Sequence, residues 1–150
     1  MPRIILRLPD SLPFQTTLDV LQRDINAVGH LDNAQLVTLI FEVSHRFFSS
    51  MKINESQLNG LTVFRNDIEM QYVSEVFEGE TLIFNLGVLN LDNHCFEIGC
   101  HVHEQMSGRE VAKAMMEFKL INPKDHSDAQ IPDHISEALN RCLAKALVGN

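Results

Sequence analysis

The residues best suited to chemistry are grouped in one polar segment, residues 24–33. His30 follows Gly29 directly, and a neutral imidazole can accept a proton near pH 7 if it reaches a water molecule. A helix is predicted to begin near Asn33, and the unpaired N–H groups and positive dipole at a helix start can polarise a carbonyl oxygen. Together these groups suit the hydrolysis of an activated carbonyl. A structural role stays open, because His30 could instead cap the turn or bond a backbone carbonyl.

Two further groups of side chains carry titratable atoms, and each has a simpler structural explanation. Glu42 lies on the predicted helix with Arg46 four residues further on, which is the spacing of a modest salt bridge. His101 and His103 share one face of a predicted strand, a spacing compatible with metal ligation. Neighbouring residues do not complete a recognised ligand set, and a solvated sheet face explains the two histidines. No metal site is predicted.

The element that must position the polar segment is a long helix over residues 33–51. Its apolar residues recur at intervals of three and four, the spacing of one helical face. Asp32 and Asn33 are predicted to cap its start. Further apolar residues on the flanks cover more than half of the circumference, as expected of a helix enclosed by a sheet. The stripe consists of Leu36, Val37, Ile40, Phe41, Phe47, Phe48 and Met51.

Most of the remaining chain shows the period of two that indicates strands with one buried face. Short breaks at residues 92–93 and 107–108 favour antiparallel hairpins. After a polar connector, residues 135–148 return to helical spacing and predict an amphipathic terminal helix. One strand, one buried helix and then a run of long strands predict an α+β fold in which the sheet wraps around the helix. The predicted strands cover residues 16–21, 61–64, 68–76, 81–91, 95–105 and 111–121.

Composition limits the class of protein. The chain has 150 residues, enough for the single domain predicted over residues 1–150. A net charge of −8 with only 12 scattered Lys and Arg argues against nucleic-acid binding. Three cysteines without a paired motif favour a reducing compartment. No apolar run is long enough for a signal peptide or a membrane span, so a cytoplasmic location is expected.

The segment 24–33 reads Asp-Ile-Asn-Ala-Val-Gly-His-Leu-Asp-Asn. It resembles the Asp-x-Asp-x-x-Gly-His-Val-Asn-Asn signature of the 4-hydroxybenzoyl-CoA thioesterase-like family, whose members are acyl-CoA thioesterases of the hot-dog fold. Phe41-Glu42, Tyr72-Val73 and residues 77–82 and 104–114 are similar to later motifs of that family. The resemblance covers about residues 15–122, and the order of elements agrees throughout.

The resemblance implies a hot-dog fold, an antiparallel sheet wrapped around a long central helix, here with an additional C-terminal helix. It also implies homodimers joined edge to edge, with acyl-CoA bound at the subunit interface and no cofactor beyond the CoA of the substrate. Stacking of dimers into a homotetramer stays open. The residues that contact the CoA phosphates also stay open, since Arg65, Arg109 and Lys113 are candidates by charge alone.

One position departs from the family pattern, because Asn26 stands where the family has its catalytic aspartate. An amide cannot be a nucleophile or base. In one alternative, which resembles the plant acyl-carrier-protein thioesterases, Asn26 orients a water molecule and His30 or Asp24 accepts its proton. In a second, Glu42 acts as the helical glutamate of other hot-dog thioesterases does. In a third, hydrolysis has been lost and the pocket only binds.

The resulting prediction is an acyl-CoA thioesterase that hydrolyses a fatty or aromatic acyl thioester to the free acid and CoA. The alternative is a non-catalytic protein that binds an acyl-CoA or acyl-carrier thioester. The predicted catalytic residues are Asn26, His30, Asp24 and Glu42, and the predicted substrate-binding residues are Gly29 and Asn33, whose amide would stabilise the oxyanion.

Overall fold

The computed structural model describes residues 6–54 and 58–144. Its main feature is a single antiparallel sheet with the strand order β1-β3-β4-β5-β2, in which a two-residue strand, β6, pairs with β5. The long helix α1 follows β1, and the short helix α2 follows β6. The elements are β1 (Phe14–Asp19), α1 (Asn33–Ser50), β2 (Thr62–Tyr72), β3 (Thr81–Leu91), β4 (Cys95–Glu104), β5 (Glu110–Ile121), β6 (Asp128–Ala129) and α2 (Asp133–Arg141).

The three central strands form the predicted meander, with one face buried. Phe84 of β3 lies opposite Val102 of β4, and Leu86 lies opposite Cys100. All four residues are fully buried, because alternate residues of each strand point towards the helix. Burial of a large apolar side chain contributes about 1.5–3 kcal/mol each, so this face supplies much of the stability that holds the site.

Helix α1 packs against the inner face of the sheet from one side to the other. Phe47 stacks on Phe14 of β1, with ring centroids 5.1 Å apart. Phe48 makes edge-to-face contacts with two rings of the sheet. Its ring centroid is 5.1 Å from that of Phe118 in β5 and 6.0 Å from that of Phe96 in β4. The predicted α+β architecture, a sheet around a central helix with a further C-terminal helix, is therefore confirmed.

Two predicted elements differ from the structure. Residues 61–64 and 68–76 were expected to form two strands, but β2 is one strand that ends at Tyr72, with a register shift between Arg65 and Asp67. The polar bulge interrupts the alternation on which the prediction depended. The terminal helix ends at Arg141 instead of continuing to residue 148. Residues 142–144 instead bond the backbone of Val88 in β3, and residues 145–150 lie outside the described part of the chain.

Within residues 6–54 and 58–144, no helix combines the length and the apolar character that a membrane span requires.

Candidate active site

Asn26 holds the turn that carries His30. Its side-chain Oδ1 accepts hydrogen bonds from the backbone N–H groups of Val28, at 3.1 Å, and His30, at 3.2 Å. The backbone N–H of Asn26 donates to the His30 carbonyl at 2.8 Å, so the turn closes on itself. Gly29 completes it with a φ of +87°, a left-handed conformation that favours glycine. The hydrogen bonds engage Oδ1, which leaves the Nδ2 group of Asn26 to donate.

His30 lies beside a carboxylate from a distant part of the chain. Its Nε2 is 3.4 Å from Oε2 of Glu75, and its ring meets the edge of the Phe77 ring at a centroid distance of 5.1 Å. A backbone bridge between His30 and Phe77 brings the two segments together. Because the contact with the carboxylate favours a proton on Nε2, Nδ1 is left as an acceptor. Glu75 was not singled out from the sequence, because no short spacing connects it to His30.

These residues line a cavity of about 380 Å³ between the turn, the start of α1 and the segment that follows β2. Its volume falls in the range of small-molecule sites. The side chains at its wall are Asn26, His30, Leu31, Asp32, Asn33, Leu36, Tyr72, Val73, Ser74, Glu75 and Val76. Asn26, His30 and Asn33 were all predicted as site residues, and the fold brings them together here.

The start of α1 faces this cavity without a side-chain cap. Asp32 occupies the N-cap position, but its side chain makes no capping hydrogen bond, contrary to expectation, and Asn33 is the first helical residue instead of a cap. The first N–H groups of the helix can therefore serve a ligand oxygen. Tyr72 closes the wall with a hydroxyl that donates to the Asn33 carbonyl at 3.3 Å. Burial, and then the charge of Asp32, raise the pKa of Tyr72, so this donor keeps its proton.

Asp24 lies behind the turn and does not line the cavity. The residue is buried, with 5% of its surface exposed. One carboxylate oxygen accepts the backbone N–H of Leu21 at 2.9 Å, and the other accepts Nε2 of Gln35 at 2.7 Å. Because Gln35 belongs to the first turns of α1, Asp24 ties the turn to the helix. In this position Asp24 can support the turn that carries the site, without lining the cavity itself.

Glu42 lies on the side of α1 that faces β1, away from the cavity. Its carboxylate is 3.6 Å from Nε of Arg46, as the spacing indicated. Arg46 continues to β1, where it donates to Oγ1 of Thr16 at 2.9 Å and to the carbonyl of Thr17 at 3.0 Å. The described chain therefore does not bring Glu42 to Asn26 and His30.

The cations proposed for the CoA phosphates have other partners within the fold. Arg109 binds both carboxylate oxygens of Glu80, at 2.9 and 3.0 Å. Lys113 donates to the carbonyl of Leu6 at 3.3 Å. Arg65 stacks on the ring of Phe41. His101 contacts Glu110 at 2.8 Å, and the described residues contain no group of three or more His, Cys, Asp or Glu placed to hold a metal ion.

The sheet order, the enclosed helix and the cavity at its start define a thioesterase-like protein of the hot-dog fold. The family model of the Thioesterase-like superfamily matches residues 20–139, and the chain belongs to this superfamily. No curated protein sequence matches significantly.

Several solved structures are similar to this chain. A 1,4-dihydroxy-2-naphthoyl-CoA thioesterase from Synechocystis is 16% identical, covers 85% of this chain and 95% of its own, and has a TM-score of 0.78. A Staphylococcus aureus protein in complex with CoA is 16% identical over 98% of this chain and 92% of its own, with a TM-score of 0.79. A gentisyl-coenzyme A thioesterase is also 16% identical, over 84% and 99%, with a TM-score of 0.74. At these identities the similarity shows the fold alone.

Proposed function

We propose that this protein hydrolyses acyl-CoA thioesters in the cavity at the start of α1. The observation that supports this most is that Asn26, His30 and Asn33 line one cavity in a fold of the thioesterase-like superfamily. The cavity combines a proton acceptor, an amide donor and an uncapped helix start. Hydrolysis of a thioester needs these three functions, and the CoA moiety of the substrate is the only coenzyme involved.

In the proposed mechanism, His30 removes a proton from water. With the proton on Nε2, which pairs with the Glu75 carboxylate 3.4 Å away, Nδ1 is the ring nitrogen left to accept a proton from the water. The Nδ2 group of Asn26 donates to the water oxygen and orients the lone pair that attacks. Because the amide donates and His30 accepts, no aspartate is needed at residue 26.

The attack forms a bond from the water oxygen to the thioester carbon, and the water proton passes to His30. The carbonyl oxygen becomes an oxyanion, which the first N–H groups of α1 at Asn33 stabilise. The carbon–sulfur bond then breaks, and the CoA sulfur leaves as a thiolate that takes the proton from His30. The products are a free acid and CoA, and His30 returns to its neutral form.

A second candidate function is binding of an acyl thioester without hydrolysis. The observation in its favour is that the turn uses Oδ1 of Asn26, while Glu75, the carboxylate that contacts His30, has 66% of its side chain exposed. An exposed carboxylate orients a histidine weakly, because water competes for it.

We infer further that the protein acts as a homodimer joined at the edge of β2. This strand is eleven residues long, and among the described residues only one of its edges pairs within the sheet, with β5. Large apolar residues stay exposed along it and just beyond, namely Phe64, Tyr72 and Val73. An open edge of this kind favours pairing with a second copy. Analytical ultracentrifugation at micromolar concentration tests the inference, and a monomer would contradict it.

The experiment that tests the function is release of free thiol from a panel of short, long and aromatic acyl-CoAs. We expect turnover by the wild type, loss of turnover in His30→Ala and retention in His94→Ala, a histidine in the exposed turn between β3 and β4. Binding of acyl-CoA without turnover on any substrate would favour the second candidate. Equal turnover in the wild type and in His30→Ala would exclude the proposed mechanism.

A further inference from the structure

A second cavity lies between α1 and β2, beyond the proposed catalytic cavity. Nearer the start of α1, Leu36 of α1 and Tyr72 of β2 belong to the wall of the catalytic cavity. Further along, Phe41 and His45 of α1 and Arg65 of β2 line this second cavity of about 230 Å³. Both cavities therefore lie between the same two elements, one beyond the other.

Arg65 is a cation on the face of the strand that otherwise carries apolar residues. It lies opposite Phe118, whose ring packs in the core, so its side chain projects towards the helix. The guanidinium carbon is 3.3 Å from the centre of the Phe41 ring. Stacking of this kind fixes the orientation of the guanidinium and leaves its N–H groups free to bind an acceptor.

No carboxylate of the described residues forms an ion pair with Arg65. Arg65 differs in this respect from Arg46 and Arg109, whose side chains pair with carboxylates. Burial beside the ring lowers the pKa of Arg65, although the residue as a whole stays open to solvent. A partly desolvated cation that lacks an anion within the chain can gain from an anion that a ligand brings.

The distance from the start of α1 to Phe41 and Arg65 is comparable to the length of an acyl group. Phe41 follows Asn33 by eight residues, which corresponds to about 12 Å along a helix. A substrate with its thioester carbonyl at the start of α1 and its acyl group extended along α1 towards the second cavity would reach Arg65 with the far end of that group. Medium-length acyl chains have this reach.

We propose that Arg65, oriented by Phe41, is the specificity determinant of the site and selects acyl groups that carry an oxygen acceptor at their far end, above all a carboxylate. The proposal depends on the proposed thioester site, because it assigns the acyl end of the same substrate. Arg65 would form a charge-assisted hydrogen bond with that carboxylate, and an acyl group that ends in a methyl would leave the cation without a partner.

A structural explanation of Arg65 predicts different behaviour. An inward-pointing charge next to a bulge is one way in which proteins protect the edge of a sheet from unwanted pairing. In that case Arg65 would affect association of the protein and would leave the choice of substrate unchanged.

The test compares suberoyl-CoA with octanoyl-CoA, which have equal carbon chains and differ in the terminal carboxylate. 8-Hydroxyoctanoyl-CoA, which has the same carbon chain, separates a hydroxyl from a carboxylate acceptor. We expect the ratio of kcat/KM for suberoyl-CoA over octanoyl-CoA to fall roughly 10- to 100-fold in Arg65→Met. Arg65→Lys should recover part of the ratio, and the control Arg46→Met should leave it unchanged.

The failure of this proposal is distinguishable from failure of the proposed function. Thiol release that persists with the same ratio in the wild type and in Arg65→Met would overturn the role of Arg65 alone. If no acyl-CoA is hydrolysed, the dissociation constants of the same two thioesters, measured by calorimetry, give the same comparison. Aggregation of Arg65→Met with unchanged selectivity would assign Arg65 to protection of the edge.

Discussion

The carboxamide oxygen of Asn26 accepts the backbone N–H of His30 at 3.2 Å, so the residue in the family's aspartate position holds the histidine in place. A carboxylate at residue 26 would accept the same hydrogen bond. The side-chain nitrogen is what distinguishes the amide, since it can donate to a water molecule. The chemistry of the site therefore depends on Nδ2, while the shape of the turn depends on Oδ1.

Asn26→Asp should keep the fold and reduce hydrolysis. The carboxylate retains the acceptor for Val28 and His30, so the melting temperature should stay close to that of the wild type. Loss of the donor to water should lower kcat by roughly tenfold or more. Steady-state thiol release and thermal denaturation measure the two effects. A gain of turnover would instead show that the wild-type site is a relic whose missing acid has been restored.

Gly29→Ala should reduce both stability and activity, and Gly108→Ala provides its matched control. Both glycines have positive φ values, +87° and +71°, and an added Cβ would meet no atom within 4 Å at either position. The cost at each is the backbone conformation alone, about 1–2 kcal/mol in the free energy of unfolding. Because only Gly29 lies in the turn that carries His30, only Gly29→Ala should also lower kcat. Equal kcat values in the two variants would contradict the importance of this turn.

Glu75→Gln should lower kcat without changing stability. The carboxylate lies 3.4 Å from His30 but is largely exposed, so its contribution to folding is small, within about 0.5 kcal/mol. Loss of the charge weakens the orientation of the imidazole, and kcat should fall by roughly tenfold. Glu78→Gln, an exposed glutamate close by in the chain, is the control. An unchanged kcat in Glu75→Gln would remove this residue from the mechanism.

Acid should weaken the turn between β4 and β5 through Glu104. The backbone N–H of Met106, and then the hydroxyl and N–H of Ser107, lower the pKa of Glu104 from its ordinary value of 4.5. A depressed pKa in the folded state gives stability that is present above pH 4.5 and is lost as the pH falls through the folded pKa. Urea denaturation between pH 6 and pH 3 should therefore show a shallower pH dependence in Glu104→Gln. Parallel curves for the wild type and the variant would contradict the prediction.

The sequence predicted the fold well where alternation or helical spacing was unbroken. The strand from Thr81 to Leu91 and the start of α1 at Asn33 agree with the structure. The bulge at residue 66 hid the continuity of β2, and the apolar Leu143 extended the predicted helix because its pairing with Val88 is visible only in three dimensions. The cytoplasmic location and the homodimer stay predictions.

The site was predictable only where its residues are close in sequence. Asn26 and His30 are four residues apart, and their turn is local. Glu75 joins them through a backbone bridge from His30 to Phe77, which connects distant segments. Glu42 also belongs to a motif of the family, but it lies on the side of α1 that faces β1, where it pairs with Arg46. Spacing along the chain does not carry this information.

The most direct test of the central claim is the kcat of His30→Ala on a saturating acyl-CoA, with and without added imidazole. If His30 accepts the proton of the attacking water, kcat should fall by roughly 10²- to 10⁴-fold and rise again with imidazole concentration, while the dissociation constant of the acyl-CoA stays unchanged. A His30→Ala variant that retains the kcat of the wild type would contradict the account.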